Sequence, residues 1–157
     1  MKKYFALLIL AVATSVGATP DGAGFTPLDR ATARSLTARQ SHERPTVVAL
    51  WASDCSYCKQ NLRTLARLAK SQPRLRIITV AAETPSADTR PELDKTGVPG
   101  PRYIYGDDVP EALAYALDPN WRGELPRTYL FDGRGNLQAT SGVIDAAGFR
   151  AALKLKN

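Results

Sequence analysis

The amino-acid sequence predicts a single α/β domain in which helices cover both faces of a mixed sheet. Residues 46–51 and 75–81 are continuous β-branched and apolar runs, which is typical of strands buried on both faces. A helical pattern lies between them, and a strand, a helix and a strand in this order predict parallel strands. The turn sequence at residues 132–136 predicts an antiparallel hairpin. The length of 157 residues is the usual size of one domain.

The elements around the first buried strand follow from a capping residue and from apolar spacing. Residues 25–28 form a short apolar opening, and Asp29 can cap a helix that carries Ala31, Ala33 and Leu36. The strand at residues 46–51 comes next. A second helix is predicted from about Cys55, because apolar residues recur there at the spacing of one buried helical stripe: Leu62, Leu65, Ala66 and Ala69.

The middle of the chain predicts two short elements and one longer helix. A short helix is expected around residues 91–95, with a proline in its first turn, and a short strand at residues 102–105. Asp107 and Asp108 offer caps for a further helix, which ends before Pro119 and carries Leu113, Ala116 and Leu117.

The C-terminal part of the chain predicts the hairpin and a closing helix. Strands are expected at residues 127–131 and 137–143, on either side of the turn. The last helix is predicted to start near Asp145 and to bury Phe149, Ala152 and Leu153.

The composition excludes several classes of protein. Hydrophobic residues make up 44% and charged residues 23%, which is ordinary for a globular domain. The net charge of +6 is spread along the chain and is not clustered with aromatic residues, so nucleic-acid binding is not expected. Two cysteines are too few for a disulfide-rich scaffold, and a single histidine, His42, argues against a histidine-based metal centre.

The first eighteen residues have the layout of a secretory signal peptide. Lys2 and Lys3 form a short basic region, residues 4–13 form an apolar run, and residues 16–18 are a small-residue end. Cleavage after Ala18 would leave a domain of residues 19–157. The apolar run is short for a bilayer span, and an uncleaved membrane anchor is the alternative. In either case we expect the domain to lie outside the cytoplasm, in the bacterial periplasm.

The chemistry is predicted at Cys55 and Cys58, which follow a buried strand and begin a helix. Residues three apart on a helix are close enough for a disulfide. Cys55 lies where free backbone N–H groups and the helix dipole favour negative charge, which lowers the pKa of its thiol. Cys58 lies beside it and can resolve a mixed disulfide. Cys55 is therefore the candidate nucleophile and Cys58 the candidate resolving thiol.

Three other interpretations of this cysteine pair remain open. A structural disulfide that closes so short a loop would contribute only about 2 kcal/mol in the chain-entropy model. A zinc site needs four ligands, and the chain offers two cysteines and one histidine. A copper-carrying dithiol would have no methionine or histidine nearby to assist it. The position between a strand and a helix favours the redox interpretation, with no cofactor and no metal.

Two segments carry a resemblance to a known family. Residues 51–58 (WASDCSYC) resemble the active-site segment of the thioredoxin superfamily, and residues 125–133 (LPRTYLFDG) resemble its proline loop, strand and turn. Gly142, followed by a final helix, is similar to the usual ending. The chain is most similar to the exported TlpA-like thiol-disulfide oxidoreductases. The resemblance therefore implies a thioredoxin-like fold with a TlpA-like insertion in the middle.

The same resemblance implies a substrate site and an activity. It implies a cis peptide bond before Pro126, facing the cysteines, which would leave the Leu125 backbone free to pair with an extended substrate strand. Ser56 and Tyr57, between the cysteines, would meet the substrate. The implied activity is the exchange of disulfides with protein substrates, in the direction of reduction, with a DsbD-like membrane protein as electron donor. A monomer is expected separately, because the domain of residues 19–157 leaves no room for a dimerisation domain. The alternatives are a disulfide-donating oxidase or isomerase, and a non-catalytic thiol-binding or copper-binding protein on the same fold.

Four positions near the cysteines depart from the family pattern. Ala49 and Asn61 stand where many family members carry a buried acid that helps to move protons. Arg63 stands where family members frequently have a proline, and Asp54 stands where they usually have a tryptophan. The negative charge of Asp54 should oppose thiolate formation nearby. The loss of both acids is expected to slow proton transfer to the leaving thiol, and it leaves the redox direction open.

Several other side chains carry expectations about burial. Trp51 is expected in the core beneath the active site, and Tyr57 is expected to be exposed. Trp121 is expected either to border the substrate groove or to anchor its polar loop to the body of the domain. His42 is expected in an exposed loop. One face of the second helix is expected to be solvated, with these basic residues: Lys59, Arg63, Arg67 and Lys70.

Overall fold

A six-stranded mixed sheet forms the centre of the molecule. The structure is a computed structural model that describes residues 24–156, so the predicted signal peptide, residues 1–18, lies outside the described residues. The strands in chain order are β1 (Thr26–Leu28), β2 (Pro45–Trp51), β3 (Arg76–Ala81), β4 (Arg102–Tyr105), β5 (Arg127–Asp132) and β6 (Leu137–Ser141). Their order across the sheet is β1-β4-β3-β2-β5-β6.

The strand pairing confirms the parallel and antiparallel parts that the sequence predicts. Strand β2 pairs in parallel with β3, with Val48 opposite Ile78. On its other side β2 pairs antiparallel with β5, with Val48 opposite Tyr129. Strands β5 and β6 form the expected antiparallel hairpin. Strand β2 is therefore the centre of the sheet, with one parallel and one antiparallel neighbour.

Helices cover both faces of this sheet, as predicted. They are α1 (Arg30–Thr37), α2 (Ser56–Ser71), α3 (Thr89–Asp94), α4 (Pro110–Leu117) and α5 (Ala146–Ala152). Successive residues of β2 point to opposite faces, so Val47 and Val48 belong to different cores. One core contains buried residues of α2 and α5, including Leu62, Leu65 and Phe149. The other contains buried residues of α1 and α4, including Leu36, Leu113 and Leu117.

Aspartate side chains hold the turns and helix starts that the sequence marks. The Asp29 carboxylate accepts a hydrogen bond from the Thr32 backbone N–H at 2.7 Å, and Asp145 caps α5 in the same way. In the hairpin turn, Asp132 Oδ1 accepts from the backbone N–H groups of Arg134 and Asn136 at 2.8 and 3.1 Å. These contacts satisfy N–H groups that would otherwise lack a partner.

The start of α4 differs from the prediction. Neither Asp107 nor Asp108 caps it, because the N-cap residue is Val109, without a side-chain hydrogen bond, and Pro110 begins the helix. A proline at the first helical position lacks only an N–H that would be free anyway. The Asp108 carboxylate instead pairs with the Arg30 guanidinium, at 3.0 Å from its Nε. Strand β6 also ends at Ser141, two residues before the predicted end.

The expectation that His42 is exposed is wrong. The side chain is 6% exposed, and its ring centroid lies 4.1 Å from that of Phe131. A short 3-10 turn at Arg39–Ser41 returns the chain towards the end of α1. There His42 Nε2 lies 2.8 Å from the Leu36 carbonyl oxygen, to which it donates. His42 is thus part of the core and closes the connection between α1 and β2.

Burial of His42 predicts a pH-dependent stability. Burial lowers the pKa of His42 below its ordinary value of 6.5, so the unfolded chain takes up a proton before the folded chain does. The free energy of unfolding should therefore be highest above pH 6.5 and should decline as the pH falls below that value. Urea unfolding between pH 5 and 8 measures this slope. His42→Phe should reduce the slope of the free energy of unfolding against pH. Gln40→Ala, at an exposed position nearby, should retain the wild-type slope. Equal slopes in His42→Phe and the wild type would contradict the prediction.

Candidate active site

The two cysteines lie at the carboxyl end of β2, where the chain enters α2. Strand β2 ends at Trp51, and Cys55 is the N-cap residue of α2. A disulfide joins Cys55 to Cys58, with an S–S distance of 2.02 Å and a Cα–Cα distance of 5.3 Å. The position between a buried strand and the first turn of a helix is the one that the sequence predicts.

The first turn of α2 favours negative charge on the Cys55 sulfur. The Cys58 backbone N–H lies 3.2 Å from Cys55 Sγ and donates to it. The first turn of α2 contains no acidic residue, so no carboxylate within it opposes the positive end of the helix dipole. Cys55 is half-buried, whereas Cys58 is only 1% exposed. Cys55 is therefore the sulfur that a second molecule can reach, and Cys58 is shielded behind it.

The proline loop lies beside the strand that leads to the cysteines. The Leu125–Pro126 peptide bond is cis, as the resemblance implies. Strand β5 begins directly after it, and Arg127 pairs with Leu50 near the end of β2. The Pro126 carbonyl oxygen accepts from the Gly142 N–H at 2.9 Å. Within residues 24–156 the Leu125 backbone makes no hydrogen bond, which leaves its N–H and C=O groups available to another chain.

The side chains around the cysteines divide into an exposed and a buried set. Ser56 and Tyr57 are exposed, and Tyr57 retains 66% of its accessible surface. Trp51 is 1% exposed and belongs to the same core as Cys58, which confirms that it packs beneath the cysteines. An exposed tyrosine beside an accessible sulfur gives the surface an apolar contact group.

Asn61 occupies a position where the family pattern has an acid, and here it links two parts of the fold. The side chain is 2% exposed. Its Nδ2 donates to the Gly142 carbonyl oxygen at 3.0 Å, and its Oδ1 accepts from the Ile144 N–H at 2.9 Å. The amide therefore joins α2 to the segment between β6 and α5. Because it both donates and accepts, a carboxylate could not make the same two bonds.

A polar cluster that the sequence pattern does not predict lies beside the cysteines. The Ser53 N–H and hydroxyl donate to Glu83 Oε2 at 2.9 and 3.0 Å, and Lys59 Nζ donates to the Ser53 carbonyl oxygen at 3.0 Å. The expectation of a solvated Lys59 is therefore wrong, since the side chain turns back to the loop before Cys55. The same expectation is confirmed for the other three basic residues of the face, Arg63, Arg67 and Lys70, which are exposed.

One sequence signal could have pointed to Glu83. It follows the end of β3, which runs parallel to β2, and the carboxyl ends of parallel strands meet at one edge of a sheet. The Ala82 N–H donates to the Trp51 carbonyl oxygen at 2.8 Å and holds the two strand ends together. Glu83 is thereby brought beside the loop that carries the cysteines.

Trp121 anchors its polar loop to the body of the domain, which is one of the two alternatives that the sequence leaves open. Its Nε1 donates to the Glu124 carbonyl oxygen at 2.8 Å, and its ring, 9% exposed, packs in the core on the α1 and α4 side. It also lines a cavity of about 430 Å³ that Ala82 and Leu125 border. The indole therefore anchors its loop and forms one wall of a cavity next to the proline loop.

Two features are absent from the described residues. Within residues 24–156, no group of three or more histidine, cysteine, aspartate and glutamate side chains comes together in an arrangement that could hold a metal ion. None of the helices in this range is both long enough and apolar enough to cross a membrane. The candidate site in the described part of the chain consists of the two cysteines, the proline loop and the polar cluster around Ser53.

Known proteins with the same fold include several thiol-disulfide oxidoreductases, all at low sequence identity. A secreted Mycobacterium tuberculosis disulfide oxidoreductase homologous to E. coli DsbE is 13% identical, with a TM-score of 0.59 over 72% of this chain and 82% of that chain. A thioredoxin-related protein from Neisseria meningitidis serogroup B is 24% identical, with a TM-score of 0.57 over 74% and 87% of the two chains. A thiol:disulfide interchange protein of the thioredoxin family from Chlorobium tepidum TLS is 18% identical, with a TM-score of 0.56 over 89% and 98%.

The sequence itself matches a family model. No curated protein matches the chain. A model described as a thioredoxin-like domain matches residues 33–157, which include the cysteine pair, the proline loop and the closing helix. Since this match covers well over half of the sequence and agrees with the fold, the chain belongs to the thioredoxin-like domain family.

Proposed function

We propose that this protein is an exported thiol-disulfide oxidoreductase that exchanges disulfides with protein substrates. The observation that carries the proposal is the placement of the cysteine pair: Cys55, half-buried, is the N-cap of α2, and Cys58, 1% exposed, lies behind it. A reactive thiolate needs access and a positive local field, and Cys55 has both. Cys55 is the nucleophile and Cys58 the resolving thiol.

The proposed cycle transfers two electrons from the dithiol to a substrate disulfide. The Cys55 thiolate attacks one substrate sulfur, forms a mixed disulfide and releases the other substrate sulfur as a thiolate, which takes up a proton. Cys58 loses its proton and attacks Cys55 Sγ. This step forms the Cys55–Cys58 disulfide and releases the second substrate thiolate, which is also protonated. The substrate is reduced by two electrons, and the pair is oxidised by two.

Four residues form the proposed substrate surface. Ser56 and Tyr57 are exposed between the cysteines, and the Leu125 backbone, next to Pro126, has free N–H and C=O groups within the described structure. An extended substrate segment can pair with this backbone as a short additional strand. Such pairing would hold a substrate disulfide next to Cys55 with little dependence on the substrate sequence.

The proposed direction is reduction, with a DsbD-like membrane protein returning electrons to the pair. Asp54 is exposed next to Cys55, and a negative charge there disfavours the thiolate. A pair whose reduced form is less stabilised is a better reductant. Export through residues 1–18, as a cleaved signal peptide, would place the mature domain, residues 19–157, in the periplasm as a monomer. The structurally similar secreted protein from Mycobacterium tuberculosis supports export.

The reduction potential of the Cys55–Cys58 pair tests the proposal. The mature protein is equilibrated with glutathione and dithiothreitol buffers, and the dithiol fraction is measured by thiol alkylation and mass spectrometry. We expect a reduction potential of about −270 mV, as in thioredoxin. A reduction potential of about −120 mV would make the protein an oxidant and would reverse the proposed direction of exchange. A pair that does not cycle, or that binds stoichiometric Cu(I) without turnover, would overturn the enzymatic function.

A further inference from the structure

The loop before Cys55 is held from two sides through a single residue. Residues 52–55 form a turn, in which the Cys55 N–H donates to the Ala52 carbonyl oxygen at 3.1 Å. Ser53 lies inside this turn. All of its polar groups have partners: its N–H and hydroxyl donate to Glu83, and its carbonyl oxygen accepts from Lys59. The backbone that leads into the reactive cysteine is therefore bound by one carboxylate and one ammonium group.

Both of these charged groups are in turn bound by α3. Thr89, at the start of α3, donates from Oγ1 to Glu83 Oε1 at 2.8 Å. Glu92, in the same helix, lies 2.7 Å from Lys59 Nζ through its Oε2. The two contacts are independent, because Thr89 binds the Glu83 carboxylate and Glu92 binds the Lys59 ammonium group. Helix α3 thus serves as a common anchor for the loop.

The pair of Lys59 and Glu92 differs from an ordinary surface ion pair. The side chains are only 18% and 23% exposed, and Lys59 makes a second bond to the Ser53 backbone. Hydrogen bonds from Lys59 and Lys95 lower the pKa of Glu92 to about 2. Glu92 is therefore ionised throughout the pH range in which a thiol reacts, and it holds the Lys59 ammonium in place across that range.

We propose that Lys59 and Glu83 are positioning residues for thiol-disulfide exchange, which hold Ser53 between them so that Cys55 Sγ stays at the N-terminus of α2. The proposal rests on the proposed function only in that Cys55 reacts as a thiolate. The field of a helix terminus falls off within one turn, so displacement of Cys55 would weaken the stabilisation of its thiolate. The Lys59 ammonium also adds a positive charge near the cysteines, against the negative charges of Asp54, Glu83 and Glu92.

The first test replaces Lys59 and measures the reactive thiol without any protein substrate. In the reduced protein, the pH dependence of iodoacetamide alkylation at Cys55 gives the thiol pKa, and equilibration with glutathione gives the thiol-disulfide constant. Lys59→Met should raise the thiol pKa by about one unit and shift the constant about tenfold towards the disulfide. Lys59→Arg can still donate to Ser53 and Glu92, so its thiol pKa and its thiol-disulfide constant should stay close to the wild-type values. Lys70→Met, at an exposed lysine near the other end of α2, should change neither.

A second test separates positioning from charge. Thr89→Val removes the hydroxyl that binds Glu83 and changes no charge, and it should move the thiol pKa in the same direction as Lys59→Met by a smaller amount. Circular dichroism shows whether each variant is folded, and Lys59→Gln replaces Lys59→Met if that variant does not fold. An unchanged thiol pKa and glutathione constant in a folded Lys59 variant would overturn the proposal. An unchanged thiol pKa in Thr89→Val alone would overturn the part assigned to α3.

These readouts distinguish this proposal from the proposed function. Neither alkylation of Cys55 nor equilibration with glutathione uses a protein disulfide. A wild-type protein that failed to reduce proteins would refute the function, while the effect of Lys59 on the thiol would still be measured. A protein that reduces substrates with an unchanged thiol in Lys59→Met would refute the positioning role and leave the function in place.

Discussion

Replacing Cys55 with serine is expected to reduce the catalysed disulfide-exchange rate to the uncatalysed rate, whereas Cys58→Ser should trap substrates as mixed disulfides. The reason is the unequal exposure of the two sulfurs: Cys55 is half-buried at the start of α2, and Cys58 is 1% exposed. A hydroxyl at position 55 cannot form a thiolate, so no first attack occurs. Without Cys58 the first attack proceeds, but nothing inside the protein resolves the mixed disulfide.

Turnover is measured with a protein disulfide and a chemical reductant, and trapped species are identified by mass spectrometry after acid quenching. Ser71→Ala, at the far exposed end of α2, is the matched control and should keep the wild-type rate. If Cys55→Ser traps substrate through Cys58, the roles of the two cysteines are reversed. If either single variant keeps full turnover, the cysteine pair is not the catalytic group.

The sheet and its helices could be predicted because their signals are local. Strand β2 contains almost only β-branched and apolar residues, which suits a central strand buried on both faces. Asp29 and Asp145 cap helices from the adjacent residue, and Asp132 closes its own hairpin turn. In each case the donor and the acceptor lie within four residues of each other, so sequence order alone brings them together.

The cysteine pair was predicted from local position, whereas the cis bond before Pro126 was implied only by family resemblance. The start of α2 follows β2 directly, and any helix start favours a thiolate there. Nothing in the residues around Pro126 specifies a cis bond by itself. The fold brings the proline loop beside β2 through the antiparallel pairing of β5, which is a long-range contact.

Contacts between distant residues account for the predictions that were wrong. His42 lies between Ser41 and Glu43 in the sequence, and its packing against Phe131 on β5 and its bond to the Leu36 carbonyl oxygen make it a core residue. Asp108 has the sequence position of a helix cap, but Arg30 competes for its carboxylate across 78 residues. Lys59 has exposed basic neighbours on its helix, but its ammonium group binds Glu92 and the Ser53 carbonyl oxygen, so the side chain is largely shielded from solvent. Each partner is set by the tertiary fold.

Asn61→Ala is expected to lower the free energy of unfolding by about 2–4 kcal/mol. The side chain is 2% exposed, and its two hydrogen bonds join α2 to Gly142 and Ile144. Removing the amide leaves the partly buried Gly142 carbonyl oxygen and Ile144 N–H without this partner, and each such group is unfavourable. Urea unfolding at pH 7 measures the change. Gln60→Ala, at the adjacent exposed position of α2, should change stability by no more than about 0.5 kcal/mol, and equal effects of the two variants would contradict the structural role of Asn61.

Asn61→Asp distinguishes this role from the simple absence of an acid. An ionised carboxylate can accept from the Ile144 N–H but would oppose the Gly142 carbonyl oxygen, which needs a donor. A protonated acid could donate to Gly142, so the folded state should raise the pKa of the introduced carboxyl above its unfolded value. Its stabilising contribution would be complete below the unfolded pKa and lost as the pH rises through the folded pKa. Asn61→Asp should therefore be more stable at pH 5 than at pH 8, relative to the wild type at each pH. An equal stability difference from the wild type at pH 5 and at pH 8 would contradict this prediction, because it would mean that protonation of the introduced carboxyl does not restore the bond to Gly142.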